Sequence, residues 1–184
     1  MRRLLVTLAV IVVLAGGMAS QAFGYMTTPE MNALSSWLAQ RQVEVHCLTQ
    51  DESDEDLTIA LGALAYVEGW LDLKGNWHPF RTTVFASGLC ETLWTMQGGD
   101  FSSYSNHDMA LAALVLTHES GHLRGHRWSA DEAKTECWAI RHVGYVLARI
   151  GVEQPLRQEL VREAVAIHND ELAEGYQLPG CVLP

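Results

Sequence analysis

Residues 109–125 read MALAALVLTHESGHLRG, and at the centre of that stretch is HESGH, residues 118–122. On an α-helix, residues four apart are rotated by about 40° and separated by roughly 6 Å along the axis. His118 and His122 therefore stand one turn apart on one face, the spacing at which two imidazoles bind a single zinc ion. Glu119 lies about 100° from His118 and about 60° from His122. It flanks the metal face without competing for it, where a carboxylate can deprotonate a water. The same five residues also fit the end of an amphipathic helix with two satisfied histidines and a surface acid. Against that, residues 110–116 are apolar nearly all round, as for a helix buried in a core. Two histidines and a carboxylate ending such a helix need partners or a ligand.

Downstream, a helix is expected from Ser129 to about Ile150, with Gly151 as its stop. It carries Glu132 and Glu136. A catalytic zinc site takes three protein ligands and keeps one position open, and either acid could be the third. Glu132 has a second reading, because Ser129-x-x-Glu132 is a capping box. A last helix is expected from near Pro155 to about Glu174, ending at Gly175, with an extended tail behind it.

Upstream, Thr27-Thr28-Pro29-Glu30 reads as a helix start. That helix should run to about Gln40 and bury Met31, Leu34, Trp37 and Leu38. The alternation from Val43 to Cys47 predicts a short strand. DESDED, residues 51–56, reads as a solvated loop, since it lacks the glycine and ligand spacing of a calcium loop. LTIALGALAYVEGW, from Leu57, fits a helix by apolar content or a strand by its Val, Ile and aromatic residues. A strand hairpin is preferred, because Gly75-Asn76 separates it from the β-branched, aromatic run at residues 81–85. Ser87 is expected to cap a helix from Gly88 to Gln97 that ends at Gly98-Gly99. After a loop, Asn106 or Asp108 caps the metal helix, and Gly125 stops it.

The chain has 184 residues, 48% hydrophobic and 18% charged, a globular composition with room for one core. Met1-Arg2-Arg3 followed by an apolar run, with Ser20-Gln21-Ala22 behind it, reads as a signal peptide over residues 1–22, or alternatively as an N-terminal membrane anchor. Residues 23–184 then form one domain. Loss of Arg2 and Arg3 leaves 10 basic residues against 22 acidic ones, a formal charge of −12. That balance argues against nucleic acid or an anionic membrane as a partner. The four cysteines, Cys47, Cys90, Cys137 and Cys181, suggest two disulfides in an exported chain. Three connectivities are possible and the spacing does not choose. The working expectation pairs Cys47 with Cys90 and Cys137 with Cys181, the second bridge tying the tail to the helix after the motif.

With HESGH followed on the next helix by Glu132-Ala133-Lys134-Thr135-Glu136 and then Cys137-Trp138-Ala139, residues 110–139 resemble the gluzincin class of zinc metallopeptidases. The string is especially similar to the bacterial neutral zinc metallopeptidase family, where an acid-Cys-x-Ala run follows the Glu. The resemblance implies Zn²⁺ held by His118, His122 and Glu132, with Glu119 as the catalytic acid–base. In the class an Asp four residues after the ligand supports a metal histidine. Here that position is Glu136, which also remains an alternative ligand. HESGHLRGH also approaches the metzincin pattern, but the third His of that pattern would fall at Trp128, and His126 comes two residues early. His107, His142 and His168 carry no spacing signal. One of them, or Tyr104 or Tyr145, could stabilise an oxyanion.

These readings together give an α+β fold, mainly helical, with a small antiparallel sheet packed on an active-site helix as in zincins. The function expected is that of a secreted zinc metallopeptidase acting on a peptide or protein substrate, added as an extra strand to a sheet edge. The alternative is a zinc-stabilised secreted binding or structural protein without turnover, with His126 as a possible fourth ligand.

Overall fold

A computed structural model describes residues 26–27, 29–60, 63–74, 77–124, 131–170, 176 and 181. The expected signal segment, Gly125, His126, Ser129 and most of the C-terminal tail lie outside the described residues. In chain order the elements are β1 (Met26–Thr27), α1 (Pro29–Ala39), β2 (Glu44–Cys47), α2 (Gln50–Glu55), α3 (Leu57–Ala60), β3 (Ala65–Leu71) and β4 (Trp77–Phe85). They are followed by α4 (Ser87–Gln97), α5 (Asn106–His122), α6 (Glu132–Ile150) and α7 (Leu156–Asp170). The architecture is α+β and mainly helical.

The motif helix α5 is the centre of the packing, in contact with α1, α4, α6, α7 and the sheet. Its alanines explain how so many neighbours reach it: Ala110, Ala112 and Ala113 are fully buried and let other elements approach the backbone. Ser105 begins the helix with a capping box, its hydroxyl accepting from the Asp108 amide while the Asp108 carboxylate accepts from the Ser105 amide. The cap is thus Ser105, and Asp108 is its partner three residues on. The polar residues of the buried face satisfy themselves locally. Thr117 and Ser120 donate to the carbonyls of Ala113 and Leu116.

The four-stranded sheet has the order β1-β2-β4-β3 and is mixed, which corrects the expected antiparallel sheet. β3 and β4 form the expected hairpin, and β1 runs antiparallel to β2, but β2 and β4 are parallel. The cause is the intervening chain. From β2 it passes through α2 and α3 and enters β3 in the opposite direction, and the hairpin then reverses it again. β3 forms one edge of the sheet and borders α5.

Four local expectations change. Of DESDED, Asp51 to Glu55 lie in α2 and Asp56 is its C-cap residue, because Thr49 makes a capping box with Glu52 and the acids at its first turn suit the positive end of the helix dipole. LTIA is a helical turn, and only the stretch from Ala65 is strand. Ser87 does not cap α4, since its hydroxyl donates to Gln50 on α2 and Ala86 is the cap residue. Trp37 is 46% exposed, with the Arg149 guanidinium 4.9 Å above its ring centroid. Gly151 ends α6 in the left-handed conformation, φ 99°, as expected.

Both disulfides are present, Cys47–Cys90 and Cys137–Cys181. The first joins β2 to α4 across the core, and the second fastens Cys181 to α6. Two bridges point to an oxidising, extracytoplasmic setting. Among the described residues no helix is long and apolar enough to cross a membrane.

Candidate metal centre

The site forms where the last turn of α5 meets the first two turns of α6. The two helices approach closely at Gly121. A Cβ there would stand 2.9 Å from Thr135 Cγ2 and 2.9 Å from Trp138 Cε3, inside any ordinary contact. Glycine at the fourth position of HESGH is therefore what allows α6 to lie against the histidine face.

Three atoms converge there. His122 Nε2 is 2.9 Å from His118 Nε2, and Glu132 Oε2 is 3.0 Å from His118 Nε2 and 3.2 Å from His122 Nε2. Tetrahedral coordination with bonds of about 2.05 Å places ligand atoms about 3.3 Å apart. The three separations lie just under that edge, so His118, His122 and Glu132 could hold one metal ion. Glu132 is the first residue of α6, and Asp131 is the cap, accepting from the Lys134 amide. The carboxylate of Glu132 turns to the two imidazoles, not back to a capping residue. It is 46% exposed, so the cluster opens to solvent on its own side, whereas both histidines are buried.

Residues of α6 occupy the far sides of both rings. His118 Nδ1 donates to Glu136 Oε2 at 2.8 Å, and His122 Nδ1 lies 3.4 Å from the Thr135 hydroxyl. In the empty site the protonated ring also donates from Nε2 to Glu132. With a cation in place of that proton, the Nδ1 bond to Glu136 would leave the Nε2 lone pair facing the ion. Glu136 thus stands behind the His118 ring, on the side away from the three converging atoms. Its other oxygen, Oε1, lies 3.3 Å from His168 Nδ1 on α7.

Charge is concentrated here. Glu119, Glu132 and Glu136 surround two imidazoles in a largely buried setting, an excess of negative charge that a divalent cation would balance. Burial raises the Glu119 carboxyl above its ordinary value, against the opposing pull of His118 and His122. Burial likewise acts on Glu132, but hydrogen bonds from His118 and His122 outweigh it and hold the carboxyl well below the usual range. For His118, burial favours the neutral ring. Hydrogen bonds to Glu132 and Glu136, with the charge of Glu119, overcome it and lift the group to about 10.

The other candidates separate clearly. His107 pairs with Glu163, and His142 bonds the Trp138 carbonyl, both away from the cluster. Tyr104 packs against the core and Tyr145 is exposed. The tyrosine beside the site is Tyr176, whose ring centroid is 5.8 Å from that of His118. Burial and the charges of Glu132, Glu119 and Glu136 raise its hydroxyl to about 12, so it remains protonated at neutral pH. Neither Tyr176 nor His168 stands out in the sequence. The only signal for His168 is its place on the apolar stripe of Leu160, Ala164 and Ile167, where a polar side chain needs a partner. No protein-family model, curated protein or solved structure matches the chain.

Proposed function

We propose that this chain is an exported zinc metallopeptidase of gluzincin type, hydrolysing peptide bonds in a peptide or protein substrate. The observation that carries the reading is the convergence of His118 Nε2, His122 Nε2 and Glu132 Oε2 within 3.2 Å of one another, with the buried Glu119 carboxylate beside them. Two imidazoles and one carboxylate with an open side suit Zn²⁺ in a catalytic site. When bound, the ion supplies a Lewis acid for the scissile carbonyl and makes hydroxide available near neutral pH.

The chain's own groups account for the rest. Glu119 takes a proton from the attacking water and delivers it to the leaving amine. Its raised affinity for a proton suits a group that must both accept and return one. Glu136 accepts a hydrogen bond from His118 Nδ1 and so fixes the ring orientation and tautomer. Tyr176 is the candidate donor to the developing oxyanion. The substrate strand would lie along the outer edge of β3, the last strand of the sheet among the described residues, which borders α5.

The deciding experiment measures metal content of the purified chain and its Glu119→Gln variant, with a peptide-library cleavage assay on both. Zinc near one per chain in both, with cleavage by the wild type alone, is the expected result. Zinc in both without cleavage by either would turn the assignment toward a zinc-stabilised binding protein. No zinc after reconstitution would remove the metal premise.

A further inference from the structure

We propose that His168 is a positioning residue of this centre, holding Glu136 so that Glu136 can hold the His118 ring. The inference rests on the metal-site reading and adds a third helix to it. α7 buries Leu160, Ala164, Ile167 and His168. Three of these are apolar, and the fourth is an imidazole that is 4% exposed. A buried imidazole without a partner is costly, and here its Nδ1 lies 3.3 Å from Glu136 Oε1.

Glu136 is itself 2% exposed, and its two oxygens face two rings. Oε2 accepts from His118 Nδ1 at 2.8 Å, and Oε1 accepts from His168 Nδ1. A carboxylate held at one oxygen can still turn about its terminal torsion, which is broad. Held at both, it cannot turn without breaking a buried hydrogen bond. His118, Glu136 and His168 belong to α5, α6 and α7 respectively, so the chain of contacts ties the orientation of a ligand ring to the seating of α7. Glu132, Glu119 and His122 have no part in it.

The test uses the full chain and compares His168→Leu with His168→Asn. The Asn amide can donate from close to where Nδ1 stands, while Leu fills the space and donates nothing. Zn²⁺ affinity is measured by chelator competition, and the cobalt-loaded proteins by visible absorption, on samples matched in helix content by circular dichroism. The Leu variant should bind about tenfold more weakly, at the low end for groups that support a ligand, and its cobalt spectrum should shift. The Asn variant should keep most of the affinity. On a Glu136→Gln background the Leu substitution should add little. Should the Leu variant not fold, His168→Met repeats the comparison with an adaptable apolar side chain. Wild-type affinity and spectrum in the apolar variant would overturn the proposal, as would an equal loss on both backgrounds. A wild-type chain that binds no metal would sink the centre itself, and that result is read before any variant is made.

Discussion

Glu132 and Glu136 sit one turn apart on α6 and approach His118 from opposite sides of its ring, the first at Nε2 and the second at Nδ1. That difference separates a ligand from its support. Glu132→Gln should cost more metal affinity than Glu136→Gln, because it weakens a direct ligand. Glu136→Gln should cost about 10–100-fold, the range for a group that orients a ligand. Chelator competition on both variants checks the order. The reverse order would make Glu136 the ligand and Glu132 an exposed acid at a helix start.

Gly121 makes a prediction whose sign matters. In an exposed helix interior, Gly→Ala stabilises by up to about 1 kcal/mol. Here the added methyl would meet Thr135 and Trp138 at 2.9 Å, and both belong to the helix that carries the two acids. Gly121→Ala should therefore destabilise, by about 1–3 kcal/mol, and weaken metal binding as α6 is pushed away. Urea unfolding of the metal-free chain gives the first quantity, and titration with Zn²⁺ gives the second. A stabilised variant with unchanged affinity would show that the close approach is not what assembles the site.

Spacing alone carried the histidine pair, since four residues on a helix fix two side chains to one face. The acids were legible only as a choice between two roles. Which way Glu132 turns depends on whether Ser129 or Asp131 caps α6, and capping is decided by backbone angles that composition does not reveal. The hairpin was legible from its β-branched residues and Gly75-Asn76. The parallel pairing of β2 with β4 was not, because it depends on the direction the chain takes through two short helices. His168 and Tyr176 reach the site from sequence positions 50 and 58 residues beyond His118. No local pattern encodes a contact of that separation.

His118 makes the metal-free chain sensitive to pH. Its protonation is raised from an ordinary 6.5 to about 10 by Glu132, Glu136 and Glu119, which together outweigh burial. A group whose folded value lies above its unfolded value stabilises fully below the unfolded one and loses that contribution as pH rises through the folded one. The melting temperature of the metal-free chain should therefore fall between pH 6.5 and 10. His118→Asn should flatten the fall, which corrects for other groups that titrate in the same window. An identical decline in wild type and variant would show that the charged His118 pairs do not stabilise the empty site.

The Cys137–Cys181 bridge begins at the residue next to Glu136 and closes a loop with a separation of 44 residues. Chain-entropy reasoning assigns about 4 kcal/mol to closing a loop of that length, as an upper figure, since the reduced chain retains some structure. Cys47–Cys90 closes a loop of nearly the same size, with a separation of 43, so entropy alone gives the two bridges equal weight. Their surroundings differ. Cys47–Cys90 joins two elements of the buried core, whereas Cys137–Cys181 fixes to α6 a residue five positions beyond Tyr176, whose ring lies beside His118. Paired Ser substitutions at each bridge should thus lower unfolding stability by similar amounts in urea. Only loss of Cys137–Cys181 should also reduce peptide hydrolysis at a temperature where both variants remain folded, with zinc content unchanged. Equal activity in the two variants would show that the Cys137–Cys181 bridge contributes stability and nothing to turnover.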